Sequence, residues 1–360
     1  MSVRRTASLF AVLLAAMLLA SCGGSGTSVM SPPPAATKFA FVTNFVSGTV
    51  STFTVDPQTG QLSPKGSVPT GGVNPKVIAV EPSGRFAYVG HQSTNTVSIF
   101  SINADTGGLT AVGPPVTAGA GPRFVAIGPG GKTLYSVNLD DNNISAFTID
   151  ANTGALSSLN TIPSDQAPVA ISFAPNGQFA YVPNFASGDI TVYRVLANGD
   201  LGLLGAVPDA PNTFAIAINP SGSFAYVTHT TSNDLTLFRL NTTTGGMTPV
   251  SPTVPTESGP NSITIDAAGK FAYVTNATSG TISIYSIDAG NGLLTALPTA
   301  NAGTNPVALS LDATGRFAYV ANTGSNNVSV FSVNASTGAL TPVGTPVNAE
   351  SAPSWVAFSK

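Results

Sequence analysis

The chain is 360 residues long, with 13 Lys and Arg against 16 Asp and Glu, a net charge of −3, and only 8% of its residues charged. So thin a charge excludes an electrostatic nucleic-acid binder, which needs a dense basic face to neutralise phosphates. Its 37 glycines and 28 prolines exclude a mainly helical fold, and its single cysteine excludes an internal disulfide framework and a cysteine-rich metal site.

Residues 1–22 read as an export signal. Arg4 and Arg5 form a positive start, and Leu9 to Leu19 is an apolar stretch shorter than the ~20 residues that span a bilayer. Its end, Leu19-Ala20-Ser21-Cys22, resembles the lipobox of bacterial lipoproteins. The resemblance implies cleavage before Cys22, lipidation of that cysteine and, with Gly23 following it, sorting to the outer membrane of a two-membrane bacterium. The alternative is an ordinary secretory signal with an incidental cysteine. Residues 23–37 have no apolar periodicity and form a Gly/Ser-rich, then Pro-rich tether. The expectation is a body held in the cell envelope, periplasmic or surface-facing, by lipid on Cys22.

From 38 to 360 the chain repeats itself. The anchor Phe-Ala-Tyr-Val and its variants begin at Phe39, Phe86, Thr133, Phe179, Phe224, Phe271 and Phe317, at intervals of 45 to 47 residues. Each unit reads as four strands. The first is a short apolar run such as Val77-Ile78-Ala79-Val80, the second starts at the anchor, and the third, such as Thr96 to Ile102, alternates with period two. The turn after it, Asn103 to Gly107, recurs from Asp150, Asn241, Asp288 and Asn334 and ends in Gly, as a residue at positive φ requires.

Four antiparallel strands at a ~45-residue period mark a β-propeller blade. The expected fold is therefore all-β, a seven-bladed β-propeller of four-stranded blades. The first unit begins at its second strand, and Pro353 to Phe358 has the innermost-strand pattern, so the C-terminal strand is expected to close the ring. Closure removes the sheet edges that an open array would expose.

Phe-Ala-Tyr-Val-Thr-Asn at 271–276, the Thr-Gly-x-Leu turns and the sevenfold count resemble the YVTN-repeat and lactonase-type propellers, the group that includes 6-phosphogluconolactonase. The resemblance covers all of 38–360 and implies the fold; the fold itself hosts enzymes and non-enzymes alike.

Comparing the seven internal copies separates scaffold from site. Lys38, Arg85, Lys132, Lys270 and Arg316 share one slot before the second strand and read as scaffold. The slot five residues after each anchor holds Asn44, His91, Asn138, Asn184, His229, Asn276 and Asn322. Both histidines replace a repeated Asn, so each is read as capping its loop, and Asn is expected to serve at 229 as well. The innermost-strand entrance, mostly marked by Pro, differs. Its next residue is Lys76, Arg123, Val169, Phe214, Asn261, Val307 or Ser354. These positions crowd the mouth of the channel. Two cations of neighbouring blades, Lys76 and Arg123, are expected on its exposed rim, and loops of the same face bring His91, Asp140, Asp141 and Asp165. That is where both signs of charge converge beside a predicted concavity. A solvated, mutually neutralising rim is the bland alternative.

The resemblance implies a His and an Arg at entrance slots and a Glu just after the second-strand Asn, a base and a cation for lactone hydrolysis. Gly121-Pro122-Arg123 keeps the family's spelling; the histidine slot holds Lys76, and the glutamate slot holds Leu139, with Asp140 one residue late. Arg123, Asp140 and His91 are thus the candidates for catalysis, and all six residues the candidates for ligand binding. The reading that follows is a lipid-anchored, monomeric binding module, without cofactor or metal, for a small anionic or polyhydroxylated ligand, a glycan or an envelope protein. Sugar-lactone hydrolysis is the alternative, and a structural surface-layer protein the third.

Overall fold

A computed structural model of the chain describes residues 38–359. The export signal, Cys22 and the tether lie outside the described residues. Those described contain seven antiparallel sheets and no helix, and hence no helix long and apolar enough to cross a membrane. The sheets form a seven-bladed propeller. In the second blade the strands are Pro75–Val80, Phe86–His91 and Thr96–Ile102, with an outer strand split into Leu109–Ala111 and Val116–Thr117. The split falls at Gly113-Pro114-Pro115, where φ of +69° and missing N–H donors interrupt pairing.

The ring closes as expected. Pro353–Phe358 pairs antiparallel with Phe39–Asn44, so the two ends of the propeller share one blade. The clasp is completed by two bonds at its lower end. The Phe39 N–H donates to Ser359 Oγ at 3.0 Å, and the Ser359 N–H donates to the Phe39 carbonyl at 2.9 Å.

The anchor motif explains how blades stack. Every residue of each second strand is buried. Its two large residues face one neighbour and its two small ones the other. Phe39 and Phe41 pack on Ala87 and Val89 of the next blade, and Phe317 and Tyr319 of the last blade pack on Ala40 and Val42 of the first. The hairpin glycines complete the fit. Gly107, at φ +69°, lies under the Phe39 ring, and a Cβ there would come within 2.6 Å of it. The anchor tyrosines bond across the same gap, as Tyr88 Oη donates to the Gly154 carbonyl at 3.0 Å and Tyr319 Oη to that of Gly60 at 2.8 Å. Phe-Ala-Tyr-Val and the Thr-Gly turn are thus two halves of one inter-blade contact.

The fourth blade departs from the pattern. Pro183 stands in its second strand and has no N–H to donate, so the innermost strand shrinks to Ser172–Phe173 plus a bridge between Pro168 and Asn184.

Candidate functional site at the channel mouth

Each innermost strand enters the ring by the same device. The residue before the entrance slot is left-handed in all seven blades: Asn74, Gly121, Ala167, Asn212, Gly259, Asn305 and Ala352, with φ between +54° and +72°. In six blades a register shift follows at once. Pro75 pairs with His91 but Val77 with Gly90, which leaves Lys76 as the extra residue; Pro122 pairs with Asn138 and Phe124 with Val137, which leaves Arg123. A bulged residue is turned out of the ladder, and here that turns it into the channel. In six blades the bulge turns this slot to the lining of a single central cavity, and in the fourth Val169 reaches it without one.

Loop asparagines hold this entry. Asn95 Oδ1 accepts the Gly121 N–H at 3.0 Å, and Asn142, Asn233 and Asn326 do the same for Ala167, Gly259 and Ala352. The Arg123 entrance is therefore fixed from the preceding blade. The carbonyl of Lys76 accepts a bond from Ser354 Oγ at 2.8 Å, which fixes that backbone from the first blade.

The cavity measures about 100 Å³ and is lined by all seven entrance residues together with Phe124, Trp355, Ser262 and the apolar residues beneath them. Its only charged lining groups are Lys76 and Arg123. Lys76 Nζ lies 5.1 Å from the centroid of Phe45. The Arg123 guanidinium crosses the channel to lie 5.0 Å from that of Phe214, whose edge meets Phe185. Among the described residues no carboxylate comes within 4.0 Å of either cation. Neither is the exposed rim charge expected from the sequence: both side chains are half-buried. Burial, then the charge of Arg123, brings Lys76 down to about 7, and burial brings Arg123 down to about 10.

The cation–π contacts offset this only in part, since both groups stay below their usual values. Each is worth about 2 kcal/mol or somewhat more when desolvated, whereas desolvating an unpaired ion costs several. Two like charges thus line the cavity with no counter-charge among the described residues.

The other candidates lie elsewhere. His91 is fully buried behind Gly72, with Nδ1 3.3 Å from the Thr96 carbonyl, and burial pushes it down to about 4, so it is neutral at pH 7. Asp140 and Asp141 are exposed on the loop over Ala120 and Gly121, where Asp141 Oδ2 accepts the Ala120 N–H at 2.6 Å. Asp165 lies on a separate surface pocket beside Thr191 and Leu203. The structure thus brings Lys76 and Arg123 together and leaves His91, Asp140, Asp141 and Asp165 out of the cavity lining. Among the described residues no three His, Cys, Asp or Glu side chains are grouped to hold a metal ion.

His229 also differs from its expected role. It caps its loop, but through two carboxylates: Nε2 lies 2.9 Å from Asp209 and Nδ1 2.9 Å from Asp234. Burial alone would lower its pKa; the two aspartates outweigh burial and hold it above the usual value. An Asn there could bond one of them, as Asn184 bonds Asp189, and would leave the other without its ion partner. Sequence reasoning missed Asp209 because it stands 20 residues away, in the linker from the preceding blade.

The fold and cavity define the class: a seven-bladed propeller with a cationic pocket at the centre of its ring. The chain belongs to the family described as "Lactonase, 7-bladed beta-propeller", whose model matches residues 34–121, 114–260 and 216–358. Its fold is shared with a candidate 6-phosphogluconolactonase of Bacteroides uniformis at 21% identity (TM-score 0.81, covering 90% of this chain and 100% of that one). It is likewise shared with a periplasmic gluconolactonase of Pseudomonas aeruginosa at 18% identity (TM-score 0.78, covering 89% and 99%). No curated protein matches the sequence.

Proposed function

We propose that the central cavity binds a small, hydroxylated anion such as a sugar acid, in a propeller carried in the cell envelope by lipid on Cys22. One observation carries this reading: two half-buried cations face one cavity with no carboxylate partner among the described residues. A planar guanidinium holds a carboxylate or phosphate by two parallel bonds, the amine adds a point charge, and Asn261, Ser262 and Ser354 offer partners for hydroxyls. A cavity of about 100 Å³ suits a short acid, or the acid end of a sugar with the rest at the mouth, better than a glycan chain or a protein loop.

Trp355 is the single tryptophan of the chain and lines this cavity, so its fluorescence reports occupancy directly. Gluconate and 6-phosphogluconate should change the emission saturably and glucose should not. An equal response to the sugar and its acid would defeat the anion reading.

Lactone hydrolysis is the second reading, favoured by family membership and by the names of the neighbours. It needs a proton acceptor near Arg123, and neither a carboxylate nor a histidine lines the cavity. Assays with glucono-δ-lactone and 6-phosphogluconolactone decide it. Turnover abolished in Arg123→Gln would establish hydrolysis, and turnover at the buffer rate would exclude it.

A further inference from the structure

Lys76 and Arg123 face one cavity, but their chemistries diverge. A guanidinium stays cationic at any physiological pH. An ammonium has three donors and no acceptor. Lys76 Nζ, set on a bulge beside the Phe45 ring, has no hydrogen-bond or ion-pair partner among the described residues. Arg123 is the one other charged group on the cavity wall, and it repels the ammonium. Burial and the charge of Arg123 thus favour the neutral amine over the ammonium that the Phe45 ring would hold, and its lone pair is a nucleophile.

We infer that Lys76 is a carbonyl-capturing amine, which forms a reversible imine with the aldehyde or ketone of a small carbonyl acid whose carboxylate Arg123 holds. The lone pair of Nζ attacks the carbonyl carbon and the C=O π pair moves to oxygen. A proton passes from nitrogen to that oxygen to give a carbinolamine. The nitrogen lone pair then forms C=N as the hydroxyl, protonated from solvent, leaves as water, and addition of water reverses the sequence. No oxidant or reductant takes part. The two bulges stand at the same level of adjacent innermost strands and both side chains line one small cavity, so one small acid can meet both once their charged ends turn from Phe45 and Phe214 toward each other. Burial and Arg123 bring the amine down to about 7, so far more of it is neutral at pH 7 than of an ordinary lysine, which is neutral in under one molecule in about a thousand. The inference rests on the anion-binding reading of this cavity and adds that the ligand's carbonyl is captured.

The test uses the purified full chain at pH 7 with glyoxylate and sodium cyanoborohydride, which fixes an imine as carboxymethyl-lysine, followed by peptide mass mapping. Lys76 should be modified about a hundredfold faster than Lys132 and Lys270, which are exposed on turns. Glycolaldehyde offers the aldehyde without the carboxylate and should lose most of that preference, at least tenfold. Arg123→Gln, checked for an intact melting transition, should reduce glyoxylate to the level of glycolaldehyde. Glycolate, an acid without a carbonyl, reports anion binding separately through Trp355. If glycolate perturbs Trp355 while Lys76 reacts no faster than Lys132, imine capture is wrong and the anion site stands. If Lys76 reacts equally with both aldehydes and ignores Arg123→Gln, two-point capture is wrong. If neither signal appears, both readings fall.

Discussion

Lys76 and Arg123, the residues proposed to bind the anion, work against the fold that carries them. Each brings an uncompensated charge into the cavity, so replacing either with Met removes a desolvation cost and keeps most of the side-chain packing. Arg123→Met and Lys76→Met should each raise the melting temperature of the ligand-free chain, by about 1–3 °C, while anion binding at Trp355 is lost. A fall in melting temperature would mean that these charges have partners that stabilise them. For Lys76 the sign with pH follows from its lowered pKa. The folded state binds the proton less tightly, so the amine's contribution is present above the unfolded value and is lost as pH falls through about 7. His229 has the opposite sign. Its raised pKa makes its contribution complete below about 6.5, and that contribution disappears as pH rises through the folded value. His229→Asn should cost about 3 kcal/mol in urea melts at pH 6 and flatten the pH dependence above it. His91→Asn, at the same slot of another blade, should leave stability unchanged at pH 7 and raise it near pH 4, where the wild-type imidazole must charge in a buried site.

At the scale of the element, the entrance to each innermost strand positions the site. Gly121 meets two demands there. Its φ is +69°, and a Cβ would lie 2.4 Å from Asp140 Oδ2. Gly121→Ala should therefore lower stability by about 1–2 kcal/mol. It should also weaken anion binding severalfold by shifting the Arg123 bulge, although residue 121 does not line the cavity. Unchanged affinity in a destabilised protein would show that the bulge does not set the guanidinium. The entrance slot itself could be found by comparing the seven copies, and Lys76 and Arg123 stood out because a cation is rare in it. The bulge was not legible: it follows a left-handed residue in six blades but not in the fourth, and the sequence spells that residue Asn, Gly or Ala without a common signal. The acidic loop residues were grouped with the cations because they share a face of the ring. The loops instead fold outward onto the entrance backbone, as Asp141 does on Ala120, and that is decided by local hydrogen bonds with no periodicity.

The whole molecule was the most legible level, because a repeat states its own architecture seven times. The 45 to 47-residue spacing, the Thr-Gly hairpins and the displaced innermost strand were enough to give seven blades and their closure. What repetition hides is anything that happens once, such as Pro183 shortening one strand or Asp209 reaching His229. Closure carries a testable cost. Removing 354–360 would strip the innermost strand from the first blade, delete the buried Val356 and uncover the packing beside Phe39 and Phe41. Each buried apolar side chain is worth about 1.5–3 kcal/mol, so the loss rivals the net stability of a domain. The truncated chain should lose its cooperative melting transition; an unchanged midpoint and sharpness would mean that the clasp is dispensable.

The claim at the centre of this account is that the ring encloses a cationic cavity awaiting an anion. The most direct measurement is the melting temperature of the full chain with gluconate, alongside glucose, in the wild type and in Arg123→Met. Binding to the folded state alone stabilises it in proportion to the logarithm of ligand concentration. Gluconate should raise the wild-type midpoint progressively, glucose should leave it unmoved, and Arg123→Met should start higher and respond to neither. A wild-type midpoint indifferent to gluconate, or a rise that survives in Arg123→Met, would contradict the account.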